Sequence, residues 1–183
     1  EIFSQMESYF HGVSSGLDPL LCFIKHPLLI KSRNEIETVG IPRNKFPEDS
    51  AIFLIDTGRI GKTGPLVKLF FDRCNDEEFM HHVYHDYIPS NNQCITSLLS
   101  GEMTSFFPSL ERLSDFQYRY FREMIPDDYT MFWKQGLESD DFKMKLCGSG
   151  GGGFLLGISR DFEKTKAFFD EQRVELIPVY KTS

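Results

Sequence analysis

Lys145-Leu-Cys-Gly-Ser-Gly-Gly-Gly-Gly-Phe154 decides the fold, because residues 148–153 hold five glycines and one serine. Glycine admits left-handed backbone and leaves no side chain between the main chain and a ligand. Successive exposed N–H groups in such a loop form a concavity for an anion, phosphate or carboxylate. Composition alone would also suit a flexible Gly/Ser linker, but the flanks argue against one. Phe142-Lys-Met-Lys-Leu146 alternates apolar and basic residues, and Phe154-Leu-Leu-Gly-Ile158 is an apolar run, so both predict strands. Gly148-x-Gly150-x-x-Gly153 also satisfies the letters of a dinucleotide fingerprint, yet that fingerprint must open a helix and here a second strand follows. No Gly-Lys-Ser/Thr follows the loop, which excludes the phosphate loop of P-loop nucleotidases. The expectation is a strand–glycine loop–strand corner facing an acidic or phosphorylated ligand.

The rest of the chain is ordinary in composition. Its 183 residues are 40% hydrophobic and 26% charged, enough for one large domain or a smaller one with an appendage. Eighteen Phe against one Trp indicate an aromatic core. A net charge of −7 without a basic run argues against nucleic acid as a partner. Cys22, Cys74, Cys94 and Cys147 are widely spaced and read as reduced thiols of a cytoplasmic protein. No apolar run reaches membrane-spanning length, and no N-terminal signal is visible. The chain opens at Glu1 in what reads as mid-helix, as a fragment would.

In chain order, Ile2 to Phe10 has helical apolar spacing and should stop at His11-Gly12. Pro19 should keep Asp18 out of helix. Leu20–Ile24 and Leu28–Lys31 read as paired strands, with Ile36–Val39 a third. Ala51–Ile55 reads as a buried strand, and Thr63 and Pro65 as the start of a helix running to about Cys74. Helices are expected over 77–99, 103–113 and 115–125, with Gly101 and Ser114 as separators, and again near 130–137 and over 161–172. Val174–Val179 would close a sheet. Short strands interleaved with helices suggest an α+β fold, an antiparallel or mixed sheet covered on one face.

Three constellations could carry chemistry. Glu7 and His11 lie four apart on one helix face, above the loop that holds Asp18. A carboxylate beside a second carboxylate suits a general base next to a metal ligand, although each could equally be a cap or a solvated residue. Asp56-Thr-Gly-Arg-Ile-Gly-Lys-Thr-Gly64 places two cations, two hydroxyls and three glycines at a strand-to-helix junction. It reads equally as an anion site or a tight connector with solvated Arg59 and Lys62. His81 and His85 have zinc-ligand spacing, but no Glu of His-Glu-x-x-His accompanies them, so a solvated histidine face is preferred.

Three of these stretches occur together and in the same order in the GHMP kinases. Glu7-x-x-x-His11-Gly12-x-Ser14-Ser15-Gly16-Leu17-Asp18 resembles the Glu-x-x-x-His-Gly-x-Pro-Ser-Gly-x-Asp segment of mevalonate kinases. Asp56-Thr-Gly through Thr63, followed by Leu66-Val67, looks like their next strand–loop–helix, and Lys145 through Gly153 like their Lys-x-Thr-Gly-Ala-Gly-Gly-Gly-Gly motif. The resemblance implies a GHMP-kinase C-terminal domain, a ferredoxin-like antiparallel sheet with helices on one face, over 46–183. Residues 1–45 would be the tail end of an N-terminal, ATP-binding, ribosomal S5-like domain. It implies an ATP- and Mg²⁺-dependent kinase acting on mevalonate in isoprenoid biosynthesis. Phosphomevalonate or sugar kinase, a decarboxylase of the superfamily, or a non-catalytic anion-binding module are the alternatives.

Under that resemblance Asp18 would deprotonate or orient the acceptor hydroxyl, and Ser15 would hold that hydroxyl or a phosphate oxygen. Glu7 would bind Mg²⁺ and Thr63 would support the catalytic loop. His11, Gly12, Gly148, Ser149, Gly150, Gly151 and Gly152 would line the substrate and phosphate end of the cleft. Ser14 departs from the family's Pro and Cys147 from its Thr. The family's Pro-x-x-x-Gly-Leu-Gly-Ser-Ser loop, which wraps the ATP phosphates, does not occur in these residues. The expected partners are therefore a small alcohol substrate and the N-terminal half of the same kinase, without membrane or nucleic acid, with a homodimer left open. Residues 1–183 alone are expected not to use ATP productively.

Overall fold

A computed structural model describes residue 5 and residues 17–32, 34–61 and 63–182, with Leu17 and Asp18 in backbone only. The chain divides into two compact units between Pro42 and Arg43. The first contains helix α1 (Leu17–Ile24) and an antiparallel hairpin of β1 (Leu28–Ser32) and β2 (Glu35–Thr38), with Ile30 opposite Ile36. The run Leu20–Ile24 is thus helix, not strand. Pro19 falls in the first helical turn, where backbone N–H groups have no intrahelical partner to lose, so Asp18-Pro19 starts the helix instead of preventing it. The partner of β1 is β2, the segment expected to be a third strand.

The second unit is a four-stranded antiparallel sheet with helices against it. Its strands are β3 (Ala51–Asp56), β4 (Phe142–Leu146), β5 (Phe154–Ser159) and β6 (Ile177–Lys181), in the order β4–β5–β3–β6. Its helices are α2 (Thr63–Arg73), α3 (Glu77–His82), α4 (Ile88–Ser100), α5 (Met103–Tyr120), α6 (Thr130–Glu138) and α7 (Phe162–Glu171). This is the α+β class expected from the sequence.

Period-two alternation on β3 sets the core. Ala51, Phe53 and Ile55 are fully buried on one face, and they join Phe132, Trp133, Phe142, Met144, Leu155 and Phe169 in one cluster. The Phe53 ring lies 6.2 Å from that of Phe162 and 6.0 Å from that of Phe169, which stacks on Phe132 at 5.2 Å. These pairings tie α6 and α7 to the middle of the sheet. Gly157 stands opposite Phe53 in the β3–β5 register, and a Cβ there would meet the ring at 2.1 Å. The missing side chain is the space that the ring fills.

Buried polar groups hold the helices in place. Lys143 is buried on β4 and donates its ammonium to the carbonyls of Gly136 (2.8 Å) and Ser139, closing the C-terminal end of α6. The Gln117 side-chain oxygen accepts the Leu146 N–H at 2.9 Å, joining α5 to the end of β4. The Trp133 indole donates to the Ser114 carbonyl at 3.2 Å. Ser114 is therefore a buried contact in one continuous helix, α5, not the separator expected there. The closing strand starts at Ile177, later than expected. Arg173 is left-handed (φ 59°), and the Val174 N–H still bonds back to Phe169, so these residues complete the turn after α7.

Two consequences are measurable. Gly157→Ala is expected to cost about 2–3 kcal/mol in urea unfolding through overpacking, and Phe53→Leu in the same chain should recover part of the loss; strictly additive losses would mean the ring does not rest on Gly157. Burial pushes the Cys94 thiol up to about 11 against the opposing pull of Lys145 and Arg112. At pH 8 it should stay unreactive toward a disulfide reagent until urea unfolds the chain, while exposed Cys22 reacts at once.

Candidate functional site

The glycine loop is held by main chain on two sides. The β3–β5 ladder runs to Asp56 opposite Phe154. Beyond that pair, the Gly153 carbonyl accepts the Thr57 N–H at 2.9 Å and the Thr57 hydroxyl at 2.7 Å, and the Gly153 N–H donates to the Arg59 carbonyl at 2.7 Å. Gly58 (φ 62°) is the extra residue between them, a bulge that swings the chain toward α2. On the other side the Gly151 N–H donates to the Met124 carbonyl at 2.6 Å, from the short helical turn Arg122–Met124.

These contacts leave no room for side chains. A Cβ at Gly152 would lie 2.7 Å from both the Arg59 oxygen and the Gly61 nitrogen, and one at Gly150 would lie 2.5 Å from the Met124 oxygen. Gly150 and Gly151 also have φ of 72° and 75°, where a side chain is strained in any space. The sequence therefore needs glycine here for close approach as well as for conformation.

Three loop donors remain uncommitted, one on half-buried Ser149 and two on buried Gly150 and Gly152. The N–H groups of Ser149, Gly150 and Gly152 have no hydrogen-bond partner among the described residues, whereas those of Gly151 and Gly153 fasten the loop. Thr63 starts α2 two residues beyond Gly61, which touches Gly152, and Leu66 on that helix touches Gly151. The positive end of α2 thus lies at the loop. Beside Gly148 and Ser149 opens a cavity of about 270 Å³, walled by Leu66, Val67, Phe70, Phe121 and Met124. The Ser149 N–H at the rim and an apolar interior suit a ligand with one anionic end and one hydrocarbon end.

The 56–61 loop is braced as well. The Gly58 N–H donates to the Asp56 carboxylate at 2.9 Å, the Tyr129 hydroxyl donates to the Asp56 carbonyl at 3.2 Å, and Arg59 pairs with Asp128. Burial first, and then the Asp128 and Asp56 charges, raise the Tyr129 phenol above its ordinary value while Arg59 opposes them, so the donor stays protonated. Arg59 gives one guanidinium nitrogen to Asp128 across this exposed pair.

The structure brings together the 56–64 stretch and the glycine loop, some ninety positions apart in the chain. Thr63 is exposed at the start of α2, and Gly148, Ser149, Gly150, Gly151 and Gly152 form the loop itself. Glu7, His11, Gly12 and Ser15 lie outside the described residues, and Asp18 is described only as backbone in α1. His81 and His85 bring their rings to 4.3 Å, and His82 Nδ1 bonds Asp86 at 2.8 Å. No three His, Cys, Asp or Glu side chains among the described residues converge as a metal site. No described helix is long and apolar enough to cross a membrane. Sequence reading missed Met124, Asp128 and Tyr129. Met124 acts through its carbonyl, which no side-chain pattern could reveal.

No protein-family model matches the chain, and no curated protein matches its sequence. Solved structures do match. L. major mevalonate kinase in complex with R-mevalonate superposes with a TM-score of 0.71 at 14% identity, over 97% of this chain and 56% of that one. Streptococcus pneumoniae phosphomevalonate kinase in complex with phosphomevalonate and AMPPNP gives 0.59 at 14% identity, over 80% and 41%. A Lin0012 protein from Listeria innocua gives 0.68 at 16% identity, over 96% and 57%. The fold is that of the mevalonate and phosphomevalonate kinases. The chain spans 56% of the first of these kinases and 41% of the second.

Crowding and strain at the loop are separable. Gly152→Ala, with Cβ pressed on two backbone atoms, is expected to lower unfolding free energy by about 2–3 kcal/mol. Gly148→Ala, at φ 62° with nothing within 4 Å, should lose only about 1–2 kcal/mol from the left-handed backbone. Equal losses in urea melts would show that the Gly152 contact is not tight.

Proposed function

We propose that residues 1–183 serve as the C-terminal part of an ATP-dependent kinase that phosphorylates a small alcohol, with mevalonate as the first candidate. The observation that carries this reading is the fastened glycine loop, with N–H donors unpartnered beside the N-terminus of α2 and above an apolar cavity. The shared fold and the family resemblance of 7–18, 56–63 and 145–153 support it from separate directions.

In this reading the acceptor's oxygen forms a bond to the γ-phosphorus of ATP as the bridging bond to the β-phosphate breaks, and ADP leaves. The acceptor proton passes to the Asp18 carboxylate, which also orients the hydroxyl. Ser15, His11 and Gly12 position the acceptor, and the Thr63 hydroxyl with the N–H groups of Gly148, Ser149, Gly150 and Gly152 steadies phosphate oxygens, while Gly151 fastens the loop. Glu7 would hold Mg²⁺, which when bound neutralises charge on the phosphates. The 270 Å³ apolar cavity favours an acceptor with a hydrocarbon portion over a polyhydroxylated sugar. Phosphomevalonate is the second candidate, favoured by the phosphomevalonate kinase likeness and by the donor-rich loop.

The test is ADP release by the intact kinase with mevalonate, phosphomevalonate or galactose as acceptor, beside an Asp18→Asn version. Turnover with mevalonate that falls by about 10²-fold or more in the Asn variant is expected. Turnover with phosphomevalonate alone would keep the kinase and change its substrate. Absence of turnover with every acceptor would overturn the proposal in favour of an anion-binding module.

A further inference from the structure

The histidine-bearing segment after α3 lends only Tyr87 to the cavity at the glycine loop, yet the chain winds irregularly there. Its core-facing positions Phe79, Val83, Tyr87, Ser90 and Cys94 are spaced by four, four, three and four residues. Successive intervals of four overrun an α-helical turn of 3.6 residues, and Val83–Tyr87 adopts a wider π turn that keeps the face aimed inward. Such turns concentrate at functional sites. This one borders a cavity of about 610 Å³ between the π turn, α4 and α5. That volume is in the range of small-molecule sites, and none of its lining residues is shared with the cavity at the glycine loop.

Its charges are partly matched internally. Asp86 holds His82 at 2.8 Å, and Asp115 holds Arg119 Nε at 2.9 Å, which leaves the terminal guanidinium nitrogens of Arg119 uncommitted to that carboxylate. Arg112 has no ion-pair partner among the described residues. Ser90 adds a hydroxyl, and half-buried Tyr120, backed by buried Phe116 at 4.5 Å between ring centres, adds an aromatic wall. A guanidinium fork matches phosphate geometry, and an aromatic wall takes an apolar body.

From this cavity we propose a second ligand site, for a small organic phosphate whose anionic group meets Arg112 and Arg119 and whose body lies along Tyr120. The site is independent of the glycine loop and of the catalytic reading.

Phenyl phosphate titrated into residues 1–183, followed by amide NMR shifts, tests it. Saturable shifts at Ser90, Gln93, Arg112 and Arg119 are expected, with phenol inactive. Arg112→Gln and, separately, Arg119→Gln should each weaken binding by roughly tenfold or more, since each removes a charge-assisted contact. Arg112 is exposed, so the variant should keep its amide dispersion. Shifts confined to 148–153, affinity in both variants unchanged from the parent chain, equal binding of phenol, or no saturable shift at millimolar ligand would overturn the proposal.

Discussion

The structure depends most on one contact between two stretches of bare backbone, the glycine loop and residues Thr57 to Gly61. Gly153 exchanges three hydrogen bonds with Thr57 and Arg59, and Gly152 lies where any side chain would strike the Arg59 oxygen and the Gly61 nitrogen. Backbone can approach backbone this closely only if both partners give up Cβ or turn it away. The contact extends the β3–β5 ladder past its last regular pair and aims α2 from there. Leu66 then reaches Gly151, and the Met124 carbonyl closes the loop from the opposite side. Loop, helix start and apolar cavity are consequences of a single close approach.

That approach needs a rigid platform, and the aromatic core supplies it. Phe53 fills the space over Gly157 and meets Phe162 and Phe169, so the centre of the sheet and α7 share one packed layer. Lys143 and Gln117 add directional ties where non-directional packing would allow sliding. One closes the end of α6, and the other takes the last N–H of β4 directly before the loop. A buried lysine is costly unless its hydrogen bonds are satisfied, and here helix-terminal carbonyls with no intrahelical donor satisfy it.

The features legible in sequence were those carried by pattern. Alternation on Phe142–Leu146, the apolar run from Phe154 and the glycines between them specified a strand–loop–strand corner, and that corner is present. Ala51–Ile55 was equally plain, and the strand runs one residue further, to Asp56. Leu20–Ile24 was not, because a short apolar run is consistent with either period and Pro19 can end or begin an element. Ser114 failed as a separator because its role is set by Trp133, nineteen residues away in the chain. The candidate site was half legible. Both loops stood out by composition, but their meeting is made by main-chain atoms, and the bracing from Met124, Asp128 and Tyr129 leaves no motif. Arg112 and Arg119 were invisible for a similar reason: only the tertiary arrangement sets them across from the histidine segment.

The division of labour within the glycine loop bears on what it can do chemically. Gly151 and Gly153 spend their N–H groups on protein carbonyls, while Ser149, Gly150 and Gly152 do not. A loop fastened at alternate residues holds its remaining donors at fixed positions, so an anion that meets the half-buried Ser149 need not first order the chain. Glycine's conformational freedom, a cost in a linker, is here removed by hydrogen bonds and by the crowding of neighbouring backbone. In phosphoryl transfer, where catalysis is mostly positioning and charge stabilisation, donors fixed beforehand are worth more than donors recruited by the ligand. The same composition that suggests flexibility in the sequence therefore builds a stiff element in the fold.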